Sequence, residues 1–186
     1  MMYNGMVALF RFLFLLIFRV ELHGWDQIPV EEDSIVCSNH QSLWDPLLIS
    51  AYFPKKVHWM AKKELFSKPI FKGVLQKLGA FPVDREGKDI GALRTSLRLL
   101  REKKTLGIFP EGTRIKSIED SSPKAGVGLI AVKTKSVVVP IHIQSSFKLF
   151  SKTILTVKEP ISFRNADKSL VNYEEISNQI MERIYE

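Results

Sequence analysis

The sequence predicts an α/β fold, a single domain in which helices cover a mixed, mostly parallel sheet. Three observations predict it. Short runs of apolar and β-branched residues alternate with longer stretches of helical spacing from residue 34 to residue 185. That alternation is how a parallel sheet acquires its crossover helices. Helix-stopping residues, Pro54 and Gly79 among them, fall between the two kinds of segment. The 186 residues suit one core, and no repeat or low-complexity tract divides them.

The first element differs from the rest. Residues 6–20 are apolar apart from Arg11 and Arg19. As a helix this segment reaches ~22 Å, short of the ~30 Å of a hydrocarbon core. No small-residue cleavage site follows it, so it does not read as a cleaved leader. Leu, Ile and Phe lie on nearly every side, and arginine can reach out to phosphates. Residues 1–22 are therefore expected to form an apolar helix lying in a membrane interface, ahead of a domain at 23–186.

Residues 34–38 (SIVCS) read as a buried strand and 43–52 as a helix ending at Pro54. Residues 57–61 are a second strand, and 69–78 a helix capped by Gly79. Residues 80–83 make a third strand. Residues 89–103 form the clearest amphipathic helix, with Ile90, Leu93, Leu97 and Leu100 as its apolar stripe and Arg94, Arg98 and Arg101 outside. A strand at 105–109, a helix at 126–135 and a β-branched strand at 137–143 follow. Residues 153–158 pair with that strand or lie beside it, and a helix at 173–185 closes the chain.

Composition narrows the function. The one cysteine, Cys37, excludes an internal disulfide and sits mid-strand as a small hydrophobe rather than a nucleophile. The net charge is +7. Residues 1–33 hold two arginines against five carboxylates, so the basic excess lies downstream, densest between Lys55 and Lys77. Such a patch attracts phosphates and anionic lipid headgroups. Nucleic acid is not expected as a partner, because no helix-turn-helix and no aromatic-interleaved basic strand accompanies the charge. His23, His58 and His142 are scattered and read as structural, and no His/Cys cluster indicates a metal.

Two polar motifs follow short apolar strands, where active sites of parallel sheets collect. In the first, residues 39–45 (NHQSLWD), His40 stands in the turn and Asp45 at the start of the next helix. That spacing lets the carboxylate accept from Nδ1 and leave Nε2 as a general base. There is no Gly-x-Ser-x-Gly elbow to supply an enzyme nucleophile, so the base should activate a substrate hydroxyl directly. In the second, residues 109–114 (FPEGTR), Gly112 allows close backbone approach. Thr113 and loop amides can donate to phosphate oxygens. Arg114 offers a planar fork for a phosphate monoester, and Glu111 can accept from it, from a substrate hydroxyl or from a loop amide.

Together these residues resemble the signature blocks of the glycerolipid acyltransferase family, most nearly its 1-acylglycerol-3-phosphate branch. Residues 61–66 (AKKELF), Pro69, Gly79, Asp84 and Arg85 look like its middle block. Lys124, Gly126 and residues 139–141 (VPI) look like its last, and residues 24–29 resemble its lead-in. The likeness runs from about residue 24 to residue 160. It implies that His40 deprotonates a glycerol hydroxyl, that Asp45 orients His40, and that Lys62, Arg85 and Arg114 hold the acceptor phosphate. Glu111, Gly112 and Thr113 would shape that pocket. The acceptor implied is lysophosphatidic acid, the donor acyl-CoA or acyl carrier protein, and the product phosphatidic acid for phospholipid biosynthesis. No metal or cofactor is implied, since the thioester supplies the driving force. The expected location is the cytoplasmic face of a membrane, as a monotopic or peripheral protein. Glycerol 3-phosphate or another lysophospholipid as acceptor, and lipid binding without catalysis, are the alternatives. Three features depart from the family pattern: Ile115 where serine is frequent, a polar loop at 117–122, and a single short N-terminal apolar segment.

Overall fold

The computed structural model describes residues 2–30, 32–84, 89–115, 123–166 and 171–186. Arg85 and the polar loop at 117–122 lie outside them.

Helix α1 (Met2–Ile17) leads into strand β1 (Arg19–His23). Then come β2 (Ser34–Ser38), α2 (Asp45–Tyr52), β3 (Val57–Lys62), α3 (Pro69–Leu78) and β4 (Phe81–Val83). Next are α4 (Ile90–Arg101), β5 (Thr105–Ile108), α5 (Gly126–Thr134) and β6 (Val137–Ser145). Strands β7 (Lys152–Val157) and β8 (Ile161–Ser162) and helix α6 (Tyr173–Tyr185) complete the chain.

The strands form one sheet in the order β1-β7-β6-β2-β5-β3-β4, with β8 also on β6. The block β6-β2-β5-β3-β4 is parallel throughout. Strand β7 runs antiparallel to β6, and β1 joins β7 in parallel. Central strands β2 and β5 are buried at every residue. Their continuous apolar character follows from helices on both faces. One face carries α1 and α2 over Val36, Val139, Ile141 and Ile143. The other carries α4, α5 and α6 over Ile35, Cys37, Leu106 and Val138.

Two expectations need correction. The apolar N-terminal segment does not stay helical to residue 22. It stops at Ile17, and 19–23 become a strand, whose five residues match Lys152 to Thr156 in register. β1 is exposed at four of five positions, so it carries no periodic burial signal. The short pair β8 has no sequence signal either. In α4 the buried stripe is Ala92, Ser96, Leu99 and Leu100, while Ile90 is 59% exposed. Ala92 and Ser96 are small, and both are buried. A hydrophobicity-weighted reading rotates the face toward the larger residues. Asp89 caps this helix, accepting from the amide of Ala92 at 2.8 Å.

Helix α1 is part of the packed structure. Phe14 and Phe18 are buried in the core. Its outer face leaves Leu9, Phe12, Leu15 and Leu16 between 56% and 60% exposed. Among the described residues no helix is long and apolar enough to cross a membrane.

Candidate active site

Parallel strands deliver their carboxyl ends to one edge of the sheet. His40 follows β2, the 109–114 loop follows the adjacent β5, and Lys62 ends β3 on the far side of β5. Registers Cys37↔Ile108 and Trp59↔Gly107 hold those ends level. At ~4.8 Å between strands, Lys62 emerges about 10 Å from the β2 axis. Arg85 succeeds β4, paired through Lys62↔Val83, but lies outside the described residues.

His40 is 6% exposed and Asp45 fully buried. Nδ1 of His40 lies 2.9 Å from Oδ2 of Asp45. That oxygen also accepts from the amides of Gln41 and Ser42, each at 2.7 Å. The carboxylate therefore organises the whole turn, and as an acceptor it fixes the proton of His40 on Nδ1. Nε2 is left as the unprotonated ring nitrogen. The helix begins at Asp45 rather than at residue 43, which leaves Leu43 and Trp44 exposed in the turn.

The imidazole is also held by its face. It stacks on Phe109, ring centroids 4.0 Å apart and planes 16° apart. Phe109 stacks on Trp59 at 4.8 Å and 15°. The Trp59 indole donates to Oγ of Ser50 at 2.9 Å. Gly107 makes room for it: a Cβ there would lie 2.4 Å from the indole. This stack was not legible from the motifs. Its signal is a glycine inside a buried strand beside an aromatic on the paired strand.

Two further ties lock the loops together. Asn39, fully buried, donates to the Ile143 carbonyl at 2.9 Å and accepts from its amide at 2.8 Å. The amide of Ile115 donates to the carbonyl of His40 at 2.9 Å. The buried Ile115, where the family pattern has serine, thus joins the second motif to the first through its backbone.

Within the second motif, Gly112 has φ +68, and a Cβ would crowd Cε of Lys124 at 3.0 Å. Thr113 and Arg114 are exposed at the rim. Lys62 is half-exposed, 3.8 Å from Glu64, while neighbouring Lys63 pairs with Asp84. Glu111 is different: 4% exposed, with both carboxyl oxygens lacking a hydrogen bond among the described residues. Burial pushes its pKa up to about 7. The Asp45 charge adds to the rise, and the nearby amides of Glu111 and His40 and the Tyr185 hydroxyl offset part of it. Cys37 is buried in the core, which raises its thiol pKa, with a smaller push from Glu111. It is no nucleophile. His58 lies within hydrogen-bonding distance of the Gly79 carbonyl, and His142 packs on Tyr185. No group of three His, Cys, Asp or Glu side chains suited to a metal occurs among the described residues.

An Asp-oriented imidazole at the end of one strand is thus locked to a Gly-Thr-Arg loop at the end of the next. Residues 19–144 match the family model described as Acyltransferase. The chain belongs to the acyltransferase family. It is 34% identical over 148 residues to the 1-acyl-sn-glycerol-3-phosphate acyltransferase of Bacillus subtilis, covering 76% of this chain and 73% of that protein. It is 31% identical to the enzyme of the same name from Streptococcus pneumoniae, over 84% of this chain and 56% of that one. The fold agrees with the crystal structure of the 1-acyl-sn-glycerophosphate (LPA) acyltransferase PlsC from Thermotoga maritima. The TM-score is 0.79 at 28% identity, covering 98% of this acyltransferase chain and 76% of that one.

Proposed function

We propose that this acyltransferase moves an acyl chain from acyl-CoA or acyl carrier protein to the free hydroxyl of 1-acylglycerol 3-phosphate. The observation that carries the reading is the 2.9 Å contact of His40 Nδ1 with buried Asp45 Oδ2. It supports a base aimed at an incoming hydroxyl.

In the proposed step Nε2 takes the hydroxyl proton as the oxygen attacks the thioester carbonyl. The tetrahedral oxyanion collapses, the C–S bond breaks, and the imidazolium returns its proton to the leaving thiolate. Asp45 stabilises the imidazolium throughout. Backbone or side-chain donors near the loops of the two motifs are the proposed partners of the oxyanion. Arg114 and Lys62, with Arg85, are the proposed phosphate ligands, and Glu111, Gly112 and Thr113 shape the pocket. The step as written consumes no metal or cofactor. The proposed setting is the cytoplasmic face of a membrane, with the exposed side of α1 (Leu9, Phe12, Leu15, Leu16) in the lipid interface.

The test is release of free thiol from acyl-CoA or acyl carrier protein in the presence of lysophosphatidic acid. His40→Ala should abolish it while the far-ultraviolet dichroism is retained. Turnover by that variant, or equal turnover with glycerol 3-phosphate, would overturn the reading.

A further inference from the structure

The β6–β7 turn is built with features that neither the dyad nor the core explains. Leu149 and Phe150 are 72% and 68% exposed, the highest values for large apolar side chains among the described residues. Phe147 and Phe150 take left-handed backbone conformations, φ +53 and +61. Bulky residues rarely adopt them, and Gly or Asn would do so at less cost.

The turn is nonetheless tied down. The Phe150 amide donates to the Ile17 carbonyl at 2.7 Å, and the Arg19 amide to the Ser151 carbonyl at 3.0 Å. An aromatic chain then runs from it toward the catalytic turn. Phe147 meets Phe18 at 6.1 Å, Phe18 meets Phe14 at 6.0 Å, and Phe14 meets Trp44 at 6.0 Å. Strand β6 runs parallel to β2, so the turn leaves the sheet at the edge that carries His40. Exposed Arg19 and Lys148 flank the tip, and Lys152 lies beside Glu21.

We propose that residues 147–150 form a wedge that inserts into an anionic lipid surface and holds the catalytic edge against it. The charge selects this occupant. Two copies of the chain would bring like-charged tips together, whereas anionic headgroups would meet Arg19 and Lys148 as the apolar tip enters the interface. The apolar area that the tip exposes to water in the isolated fold is buried in lipid. The inference rests on the membrane-surface part of the function proposed above, and not on its chemistry.

The test uses the full chain with Leu149→Cys carrying an environment-sensitive dye. Buried Cys37 does not compete for the label. Vesicles of mixed phosphatidylglycerol and phosphatidylcholine should shift the emission to the blue and raise it severalfold, and phosphatidylcholine alone should do much less. Leu149→Ser/Phe150→Asn should weaken vesicle binding by about tenfold or more. Turnover of detergent-dispersed substrate should not change, and thermal stability should hold or rise, since Asn suits the positive φ. A label that stays aqueous while the protein sediments with vesicles would overturn the wedge and leave the α1 anchor standing. Failure to sediment at all would overturn both. A blue shift without lipid that grows with protein concentration would assign the tip to self-association and overturn the wedge.

Discussion

The imidazole of His40 stacks on the ring of Phe109 with centroids 4.0 Å apart, so the first residue of one motif carries the imidazole of the other. Phe109 in turn rests on Trp59, whose place depends on the absent side chain of Gly107. Gly107→Ala would put a methyl 2.4 Å from a ring held by Ser50 and by stacking. Overpacking of this kind costs about 1–3 kcal/mol. The variant is expected to unfold at lower denaturant and to lose turnover, because displacing Trp59 tilts Phe109 and the imidazole on it. Denaturant titration alongside initial rates checks both, and unchanged turnover in a destabilised protein would mean that the stack supports only the fold.

Asp45 tests the dyad from the other side. Its Oδ2 accepts three hydrogen bonds, from His40, Gln41 and Ser42. Asp45→Asn keeps the size but loses the negative charge and the preference for a proton on Nδ1. In other oriented-imidazole sites this costs roughly four orders of magnitude in kcat. A comparable fall with little change in acceptor KM is expected here from steady-state kinetics. A loss confined to KM would mean that Asp45 shapes the pocket rather than the base.

Both motifs and the parallel sheet were readable because their signals are local. Strands β2 and β5 are short apolar runs, and His40 and Asp45 stand five positions apart in one turn. What escaped the sequence depends on pairing across long separations. β1 exists because residues 152–156 offer it a partner. The role of Asn39 depends on the backbone of Ile143, 104 positions away. In α4, Ser96 is buried and Ile90 exposed because close packing of neighbours selects small residues, which a hydrophobicity scale ranks below isoleucine.

Glu111 should give stability a distinctive pH dependence. Its carboxyl titrates near 4.5 when unfolded and at about 7 in the folded protein. Below pH 4.5 both states hold the proton and nothing is lost. From there to about pH 7 the unfolded chain ionises first, and stability falls by about 3 kcal/mol in all. Glu111→Gln removes this contribution. The stability of the native protein relative to this variant should therefore decline from pH 4.5 to 7 and then level off. Denaturation midpoints of the two proteins across that range check it, and parallel curves would refute a proton-holding Glu111.

Arg114 is exposed, so its removal should spare the fold and act on substrate. Arg114→Ala is expected to raise the acceptor KM by about tenfold or more, from loss of a charge-assisted pair of about 1.5 kcal/mol, with donor KM unchanged. Kinetics with each substrate varied in turn decide it. An unchanged acceptor KM would remove Arg114 from the phosphate site.

Asn39 separates structural support from chemistry. Its side chain satisfies both the carbonyl and the amide of Ile143 in a fully buried setting. Asn39→Ala leaves two backbone groups without partners, at about 1–3 kcal/mol each. The loss should appear as stability first, because the Asn39 side chain bonds to the Ile143 backbone and not to the side chain of His40 or Asp45. The residue anchors the end of β2, from which the His40 turn departs, to β6. Loosening that anchor lets the imidazole wander from its proposed line toward the substrate hydroxyl. Well below the variant's melting temperature, turnover should fall yet remain measurable, whereas His40→Ala has none. If Asn39→Ala were as inactive as His40→Ala while still folded, the side chain would belong to the chemistry and not to the scaffold beneath it.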